Sequence, residues 1–426
     1  MPPVLDRSPA TIRCNNCGAE FSQDVDRCPG CGHEVSTPSS RLVLALTLLL
    51  IVAGFALTQY FVNLHRDTES SLAGRWFTRG EEAMQAHLPA AAADCYRTAL
   101  SYDPENWDYR LHLAQALMAD HRFAEARAHL TSLWEEEPAD GEVNLTLARL
   151  FVQRGDYSRA VRYYSNAING VWNEAPRAHR IATRFELANY LLRQHKLAQA
   201  QAELVAIQAD GPANPADQLL LGNLLLQVNE PQRAIQAFDA VLQRQPDSTQ
   251  AWLGKAQASL VLADYKEAEH SISLAVERDP KLNGARQQLE VVRELLRLDP
   301  GLRGLSLADR SKRTAEAFQI ALRRVSTCAV QQGVALASQN SPPGSGATAA
   351  AMSSPTADEL QHLFTIGMQK QSSATEKALR KNPDALEPTM QFVLDAERAT
   401  AAICVATDKS DRALLLLAQH EGEAAK

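Results

Sequence analysis

Six units of one repeating pattern occupy the middle of the chain and restrict the folds that it can adopt. Each unit is marked by a small residue, and an alanine lies twelve residues after it. In five of the six units a proline lies a further twelve residues on. A constant period of this length predicts stacked supersecondary units that share a continuous core. The small residues recur at intervals of 34, 34, 40, 34 and 34: Gly80, Ala114, Ala148, Ala188, Gly222 and Ala256.

Each unit is predicted to contain two helices and a turn. Small residues allow two helices to cross closely, and the closing proline prevents the second helix from continuing. The pattern resembles the tetratricopeptide repeat. The last unit matches the marker positions of that family with Trp252, Ala256, Tyr265, Ala268, Ala275 and Pro280. The first unit matches them with Trp76, Gly80, Ala92, Tyr96, Ala99 and Pro104.

The resemblance implies a mainly α fold with a tetratricopeptide-repeat α-solenoid of six repeats over residues 73–282. A helix at Ala285–Leu298, within residues 283–300, is more polar on one side and is predicted to cap the array. The third interval exceeds the others by six residues. The additional residues lie within Asn169–Arg180 and form either a lengthened helix or a loop that bends the solenoid.

The resemblance also implies a partner-binding surface, because first helices line the concave face of such arrays. Residues seven apart share a helix face. We expect an apolar or amphipathic segment of another protein to bind there. Alternatively, these side chains pack between neighbouring first helices, or the carboxyl-terminal helix of the protein covers them. One column of candidate residues is Phe77, Leu111, Leu145, Phe185, Leu219 and Leu253. The second column is Met84, Met118, Val152, Leu192, Leu226 and Leu260.

Two CxxC motifs near the amino terminus predict a metal site within residues 12–34 of a 1–41 segment. Their cysteines are Cys14, Cys17, Cys28 and Cys31, and a glycine follows each motif. Each motif supplies two thiolates, so together they provide the four ligands of a closed, structural Zn²⁺ site. The segment resembles a zinc ribbon. The alternative is two disulfides or a redox-active CxxC pair.

An apolar segment follows the cysteine motifs and predicts one transmembrane helix at residues 42–64. Leu42–Val62 contains no charge over 21 residues. At 1.5 Å per residue this length spans roughly 32 Å, about one hydrocarbon core. Because thiolates persist in a reducing compartment, we expect the ribbon in the cytoplasm and the repeats in the periplasm. The segment is then a single-pass signal anchor in a bacterial inner membrane.

The carboxyl-terminal region is predicted to form a small helical domain of no recognised family. Helices are expected within 301–337 and within 357–426, the latter with a break near Thr407–Ser410. The intervening residues 338–356 are rich in Ser, Pro, Gly and Ala and predict a flexible linker. Cys328 and Cys404 form either a disulfide between two helices or two unpaired buried thiols.

The charge and the motifs narrow the class of function. A formal net charge of −7 argues against a general nucleic-acid-binding protein, so no nucleic-acid partner is expected. We find no P-loop, dinucleotide-binding, HExxH or GxSxG motif. The combination of anchor, repeats and metal module resembles the lipopolysaccharide assembly protein B type, although there the metal module follows the repeats. That resemblance implies a bacterial source.

The sequence therefore favours a non-enzymatic, membrane-anchored scaffold for protein–protein interaction in the bacterial cell envelope. One alternative is an enzyme or enzyme subunit with a site in the carboxyl-terminal domain, which contains His362, Asp358, Glu359 and Glu376. Another is a transmembrane sensor in which the zinc ribbon couples the two sides of the membrane.

Overall fold

The computed structural model describes residues 11–35, 38–334, 355–406 and 408–424. The chain divides into two compact units, the first ending at Tyr163 and the second beginning at Tyr164. The first unit contains β1 (Thr11–Arg13), β2 (Glu20–Ser22), α1 (Pro38–Gln85), α2 (Pro89–Tyr102), α3 (Trp107–Ala119), α4 (Phe123–Glu136) and α5 (Gly141–Gln153). Helix α6 (Tyr157–Asn169) spans the division. The second unit continues with α7 (Pro176–Arg193), α8 (Leu197–Asp210), α9 (Pro215–Gln227), α10 (Pro231–Arg244), α11 (Thr249–Val261), α12 (Tyr265–Arg278), α13 (Asn283–Leu298), α14 (Leu307–Gln331), α15 (Pro355–Lys370), α16 (Glu376–Lys381), a 3-10 turn (Pro383–Ala385), α17 (Leu386–Ala401) and α18 (Lys409–Ala424).

The six expected helix pairs are present, from α1–α2 to α11–α12. Several first helices begin at a side chain that caps the helix. Asn106, Asp140 and Ser248 each accept a hydrogen bond from the backbone N–H three residues later, at 2.7–3.4 Å. Such a cap satisfies an N–H group that has no partner within the helix. The prediction of a mainly α fold built from tetratricopeptide-like helix pairs is confirmed.

The turn between the two helices of every pair contains a residue with a left-handed backbone. In each turn the following residue donates its N–H to the carbonyl five positions earlier, as Asp264 does to Ser259 at 2.9 Å. This is the Schellman arrangement, which usually uses glycine. Five of the six residues are not glycine. Histidine and asparagine adopt this conformation more readily than most residues, but alanine does not, so helix packing imposes the turn at Ala263 against local preference. The residues have φ between 56° and 69°: His87, His121, Gly155, His195, Asn229 and Ala263.

Helix α1 joins the apolar segment to the first repeat without interruption. It contains 48 residues, which corresponds to about 72 Å of helix. Within Leu42–Gln85 an 18-residue window has a mean hydropathy of 2.4 and no buried residue. Among the described residues, this is the one helix whose length and composition would allow it to cross a membrane.

The additional residues of the fourth repeat lengthen its first helix. Helix α7 has 18 residues, whereas α3, α5, α9 and α11 have 13 each. The added turn begins at Pro176, where proline suits the first helical position because its N–H is not required. The lengthened helix, one of the two expectations, is therefore the form that this segment takes.

The carboxyl-terminal helices extend the core of the last repeats instead of forming a separate domain. One hydrophobic cluster continues from Ala256 in α11 to Ala418 in α18. Its centre includes Phe318 and Phe392, whose ring centroids lie 5.3 Å apart. Helix α18 packs against α13. Helix α13 is therefore covered by later helices, which differs from the expectation that it caps the array.

Three details of this region differ from the expected helices or fall outside the described residues. The expected break in the last helix is wider, because α17 ends at Ala401 and α18 begins at Lys409. Helix α16 was not expected, although Thr375 caps it by accepting from the N–H of Ala378. Residues 335–354, which contain most of the expected linker, lie outside the described residues, as does Thr407.

A buried ion cluster joins α14, α17 and α18. The guanidinium of Arg324 lies 3.1 Å from the carboxylate of Glu397 and 3.3 Å from that of Asp411. The side chain of Glu397 is fully buried, and its oxygens accept no hydrogen bond among the described groups. Burial therefore raises the pKa of Glu397 to about 8, against the opposing effect of Arg324.

Replacement of a non-glycine turn residue by glycine should stabilise the protein. We expect Ala263→Gly to raise the free energy of unfolding by about 1 kcal/mol, because glycine adopts positive φ without a steric penalty. Ala202→Gly, at an exposed position inside α8, is the control and should lower it by about 1 kcal/mol. Urea unfolding followed by circular dichroism measures both. A loss of stability in Ala263→Gly similar to the control would contradict this account of the turn.

The pKa of Glu397 predicts a pH dependence of stability. The pKa is raised from 4.5 to about 8 in the folded protein, so the folded state binds the proton more tightly than the unfolded state. The associated stability is complete below pH 4.5 and is lost as the pH rises towards 8. Glu397→Gln should remove this dependence and add about 1–3 kcal/mol at pH 8. Unfolding free energies from pH 5 to 8, with exposed Glu290→Gln as the control, test this; parallel profiles for all three proteins would refute it.

Candidate metal centre and partner-binding surface

Four cysteine sulfurs converge at one point of the amino-terminal hairpin. The Sγ atoms of Cys14, Cys17, Cys28 and Cys31 all lie within 4.8 Å of one another. The Sγ atoms of Cys14 and Cys31 are 3.6 Å apart, and those of Cys17 and Cys28 are 3.5 Å apart. A tetrahedral Zn²⁺ with Zn–S bonds of about 2.3 Å separates its sulfurs by about 3.8 Å. The donor set and its dimensions are therefore compatible with a metal site.

Two similar turns bring the cysteines together. The N–H of Gly18 donates to the carbonyl of Cys14 at 2.9 Å, and that of Gly32 donates to the carbonyl of Cys28 at 2.8 Å. Both glycines have positive φ, 78° and 70°, a conformation that glycine adopts without a Cβ clash. The buried apolar core of this segment consists of Phe21 and two of the cysteines. So small a core cannot stabilise a fold alone, so a metal would supply the missing stability.

The thiols of this cluster differ in acidity. Hydrogen bonds from the backbone N–H groups of Asn16 and Cys17 lower the pKa of the Cys14 thiol to about 6. The backbone N–H of Ala19 also favours the Cys17 thiolate, but the neighbouring sulfurs of Cys28 and Cys31 raise its pKa to about 12. Like charges at this spacing oppose one another. Four thiolates therefore require a cation among them.

The candidate partner-binding residues of the first unit are partly used by the repeat core. Phe77, in α1, stacks on Tyr109 with ring centroids 4.9 Å apart. The residues Phe77, Met84 and Val152 are half-buried and keep apolar surface accessible. The buried members, with 2–8 % of their surface exposed, are Leu111, Met118 and Leu145.

The candidate residues of the second unit show the same division. Phe185 and Leu260 are buried, with 6 % and 8 % of their surface exposed. The half-buried members are Leu192, Leu219, Leu226 and Leu253. Five of the twelve candidates are thus buried by packing inside the units, and seven retain surface that a partner could contact.

Cys328 and Cys404 form a disulfide in the structure. It joins α14 to the residues that follow α17, and the Cα atoms lie 5.9 Å apart. Arg324 of the buried ion cluster donates to the carbonyl of Cys404 at 3.3 Å. The disulfide and the ion cluster therefore restrain the same connection between α17 and α18. The ion cluster could not be predicted from sequence, because no motif relates three charged residues on separate helices.

The residues considered for catalysis do not form a site. Asp358, Glu359 and His362 are exposed on α15, and Glu376 is exposed in the first turn of α16. The cavity beside the disulfide and the cavity beside Asp299 are both lined by other residues. The hydrogen bonds and ion pairs of the described residues include none between these four side chains, which are most simply solvated.

A cavity of about 430 Å³ lies beside α7 and was not anticipated. It is lined by the first turns of α7, by the connection that precedes α9 and by the first turn of α9. The six-residue excess in the fourth repeat was the available signal. That excess shows where the array departs from its period, but not that the added residues enclose a cavity.

Comparison with known families agrees with the helix pairs. A family model described as tetratricopeptide repeat matches residues 77–140 and 219–283, and a second model of the same description matches residues 117–170. Together the matches include parts of both units.

Comparison with known proteins gives distant relatives. Cellulose synthase operon protein C from Salmonella typhimurium is 25% identical over 198 residues, which cover 46% of this chain and 16% of that protein. Among solved structures, pilF of Pseudomonas aeruginosa is 17% identical, with a TM-score of 0.37, and the match covers 52% of this chain and 98% of that one. A tetratricopeptide-repeat protein from Cytophaga hutchinsonii is 14% identical, with a TM-score of 0.41, and the match covers 52% and 86%.

The period of the sequence, the six helix pairs and the two family models agree on one architecture. The four-cysteine cluster and the long apolar helix precede it in the chain. The chain therefore contains tetratricopeptide repeats, and its described residues also include a four-cysteine cluster and one helix long and apolar enough to cross a membrane.

Proposed function

We propose that this protein is a membrane-anchored scaffold that binds other envelope proteins of a bacterium through the first helices of its repeats. The observation that carries the proposal is the continuity of α1, which contains both the apolar segment and the first helix of the first repeat. A partner on the repeats is thereby held close to the membrane, which raises its effective concentration there. The similarity to a protein of Salmonella typhimurium supports a bacterial source.

The exposed surface of α1 supports a membrane anchor. Within the apolar segment, large apolar side chains are exposed on all sides of the helix. Leu49, Ile51 and Phe55 have 64 %, 68 % and 69 % of their surface exposed. A soluble monomer rarely exposes a contiguous apolar surface of this size to water. The 21 uncharged residues of Leu42–Val62 correspond to about one hydrocarbon thickness. Lipid is the environment that satisfies both the length and the composition.

The two kinds of cysteine support an orientation. The four clustered thiols before α1 require a reducing compartment to persist as metal ligands, whereas the Cys328–Cys404 disulfide after α1 requires an oxidising one. We therefore assign the cysteine module to the cytoplasm and the repeats to the periplasm of a single-pass inner-membrane protein. The module then holds a structural Zn²⁺.

Half-buried apolar residues on the first helices supply the contact surface for a protein partner. In the second unit Leu219 and Leu226 lie on the same face of α9, and the exposed Asn223 lies between them in sequence. An apolar surface with interspersed polar groups fits an amphipathic segment. The repeats would then recognise a protein segment and would not catalyse a reaction. Because the chain is acidic, we expect no nucleic-acid partner.

Removal of one cysteine ligand should abolish metal binding without unfolding the repeats. We expect the purified full chain to contain about one zinc per molecule and Cys17→Ser to contain less than about a tenth of that, because a tetrahedral site loses affinity steeply with three ligands. Elemental analysis measures the zinc content. Circular dichroism should show the same helix content in both proteins.

Cys95→Ser is the matched control, because Cys95 is a free cysteine in α2 outside the cluster. Its zinc content should equal that of the wild type. Absence of metal from the wild-type protein, or equal metal in Cys17→Ser, would contradict the zinc assignment.

A photo-crosslinking residue tests the partner surface in living cells. A photo-crosslinking residue at position 223 on α9 should give a discrete crosslinked species with another protein. At position 243, which is exposed on α10, it should give none, because second helices lie behind the proposed surface. Equal crosslinking from both positions, or from neither, would count against recognition by the first helices.

A further inference from the structure

We propose that the cavity beside α7 is an anchor pocket that takes one large apolar side chain of a protein partner whose adjacent residue is basic. The inference rests on the proposed function, since it names the segment that the first helices recognise. Its lining includes the additional residues at the start of the lengthened α7.

The lengthened helix forms one wall of the pocket. The guanidinium of Arg177, in the added turn of α7, donates to the carbonyls of Asp210 and Gly211, the latter at 3.1 Å. These bonds fix the added turn to the connection that leads into α9. The space between α7 and that connection is thereby held open instead of collapsing.

The interior of the pocket is apolar. Ile181 and Phe185, each with 6 % of their surface exposed, line its inner part, and Pro212 is buried beside them. Ala178 and Ala182 are exposed along its α7 side. The volume of about 430 Å³ lies within the range of ligand-binding pockets. The lining residues belong to α7, α9 and the connections before these two helices. Ala175, Ala213 and Asn214 at its rim are exposed, so the space is open to a partner.

The carboxylate of Asp217 favours a basic residue in the partner, next to the apolar side chain that enters the pocket. The guanidinium of Arg177 keeps its positive charge, but its hydrogen bonds hold it against the backbone carbonyls of Asp210 and Gly211. The side chain of Asn214 accepts from the N–H of Ala216 at 3.0 Å. The carboxylate of Asp217 also lines the pocket, and no hydrogen bond or ion pair engages it among the described contacts. A lysine or arginine beside the anchor would pair with Asp217 next to an apolar surface, where screening by water is reduced.

Other occupants make different use of these groups. An acid-ended segment would have to draw Arg177 away from the two backbone carbonyls that it binds, and it would meet the negative charge of Asp217. Pro215, the first residue of α9, has no N–H to offer an anion. A small apolar molecule would fill the pocket but would not depend on Asp217. The dependence on charge therefore separates the proposed occupant from both.

Three short peptides with blocked ends provide the probe. All contain a Leu-Phe pair, followed by lysine in the first peptide, glutamine in the second and glutamate in the third. Binding to the full chain in lipid nanodiscs is followed by fluorescence anisotropy. We expect the lysine peptide to bind about tenfold more tightly than the glutamate peptide. Asp217→Asn should remove this difference, whereas Glu290→Gln on α13 should leave it unchanged.

A variant that fills the pocket tests its location. Ala182→Trp places a large side chain on the exposed α7 wall and should reduce binding of the lysine peptide at least tenfold. Ala198→Trp introduces the same residue at an exposed position of α8 and should leave binding unchanged. Binding that is indifferent to the flanking charge, binding that favours glutamate, or normal binding by Ala182→Trp would each overturn the proposal.

Crosslinking from position 223 separates this proposal from the scaffold function. If Ala182→Trp retains the crosslinked partner, the pocket proposal fails while the scaffold proposal stands. If the wild-type protein gives no partner from that position, the scaffold proposal itself fails. Loss of the partner in Ala182→Trp and its retention in Ala198→Trp would support both.

Discussion

The close crossing of two helices over a small residue is the contact on which the rest of the molecule depends. A Cβ atom added to Gly222 would lie 2.6 Å from the ring of Phe238, and the same ring excludes a Cβ at Gly254 in the next repeat. One buried aromatic side chain thus joins two helices of its own repeat and the first helix of the following one. No repeat can bury its apolar faces alone, so stability arises from the stack. The carboxyl-terminal helices extend that stack from α13 onwards.

The periodic part of the fold could be predicted because its constraints are local and repeated. Small residues, aromatic residues and prolines at fixed spacing identify helix pairs. The turns could not be predicted in the same way, since Ala263 has no local preference for positive φ and adopts it where the helices pack. Helix α16 was missed because its six residues are too few to show a period. Residues 169–180 are compatible with a helix or a loop from sequence alone, because proline suits both the first turn of a helix and a loop; in the structure α7 begins at Pro176.

Local spacing also decides which of the candidate sites could be predicted from the sequence. The spacing of two CxxC motifs identifies a four-sulfur cluster because each motif forms its own turn. The distant pair Cys328 and Cys404 lies in sequence regions whose separation carries no geometric information, so pairing and non-pairing remained equal alternatives. Helical periodicity identifies the inward face of a first helix, but it cannot separate packing from partner contact. Leu111 and Leu145 are buried whereas Leu219 is half-buried, although all three occupy the same position of the repeat.

The orientation across the membrane is the central claim, because the partners and the chemistry of both cysteine groups depend on it. Reporters fused after Ser71, in α1 between the apolar segment and the first repeat, test it most directly. One is a phosphatase that is active only outside the cytoplasm, and the other is a fluorescent protein that matures only inside. The account predicts phosphatase activity without fluorescence. Fluorescence without phosphatase activity would place the repeats in the cytosol and would contradict the proposed orientation.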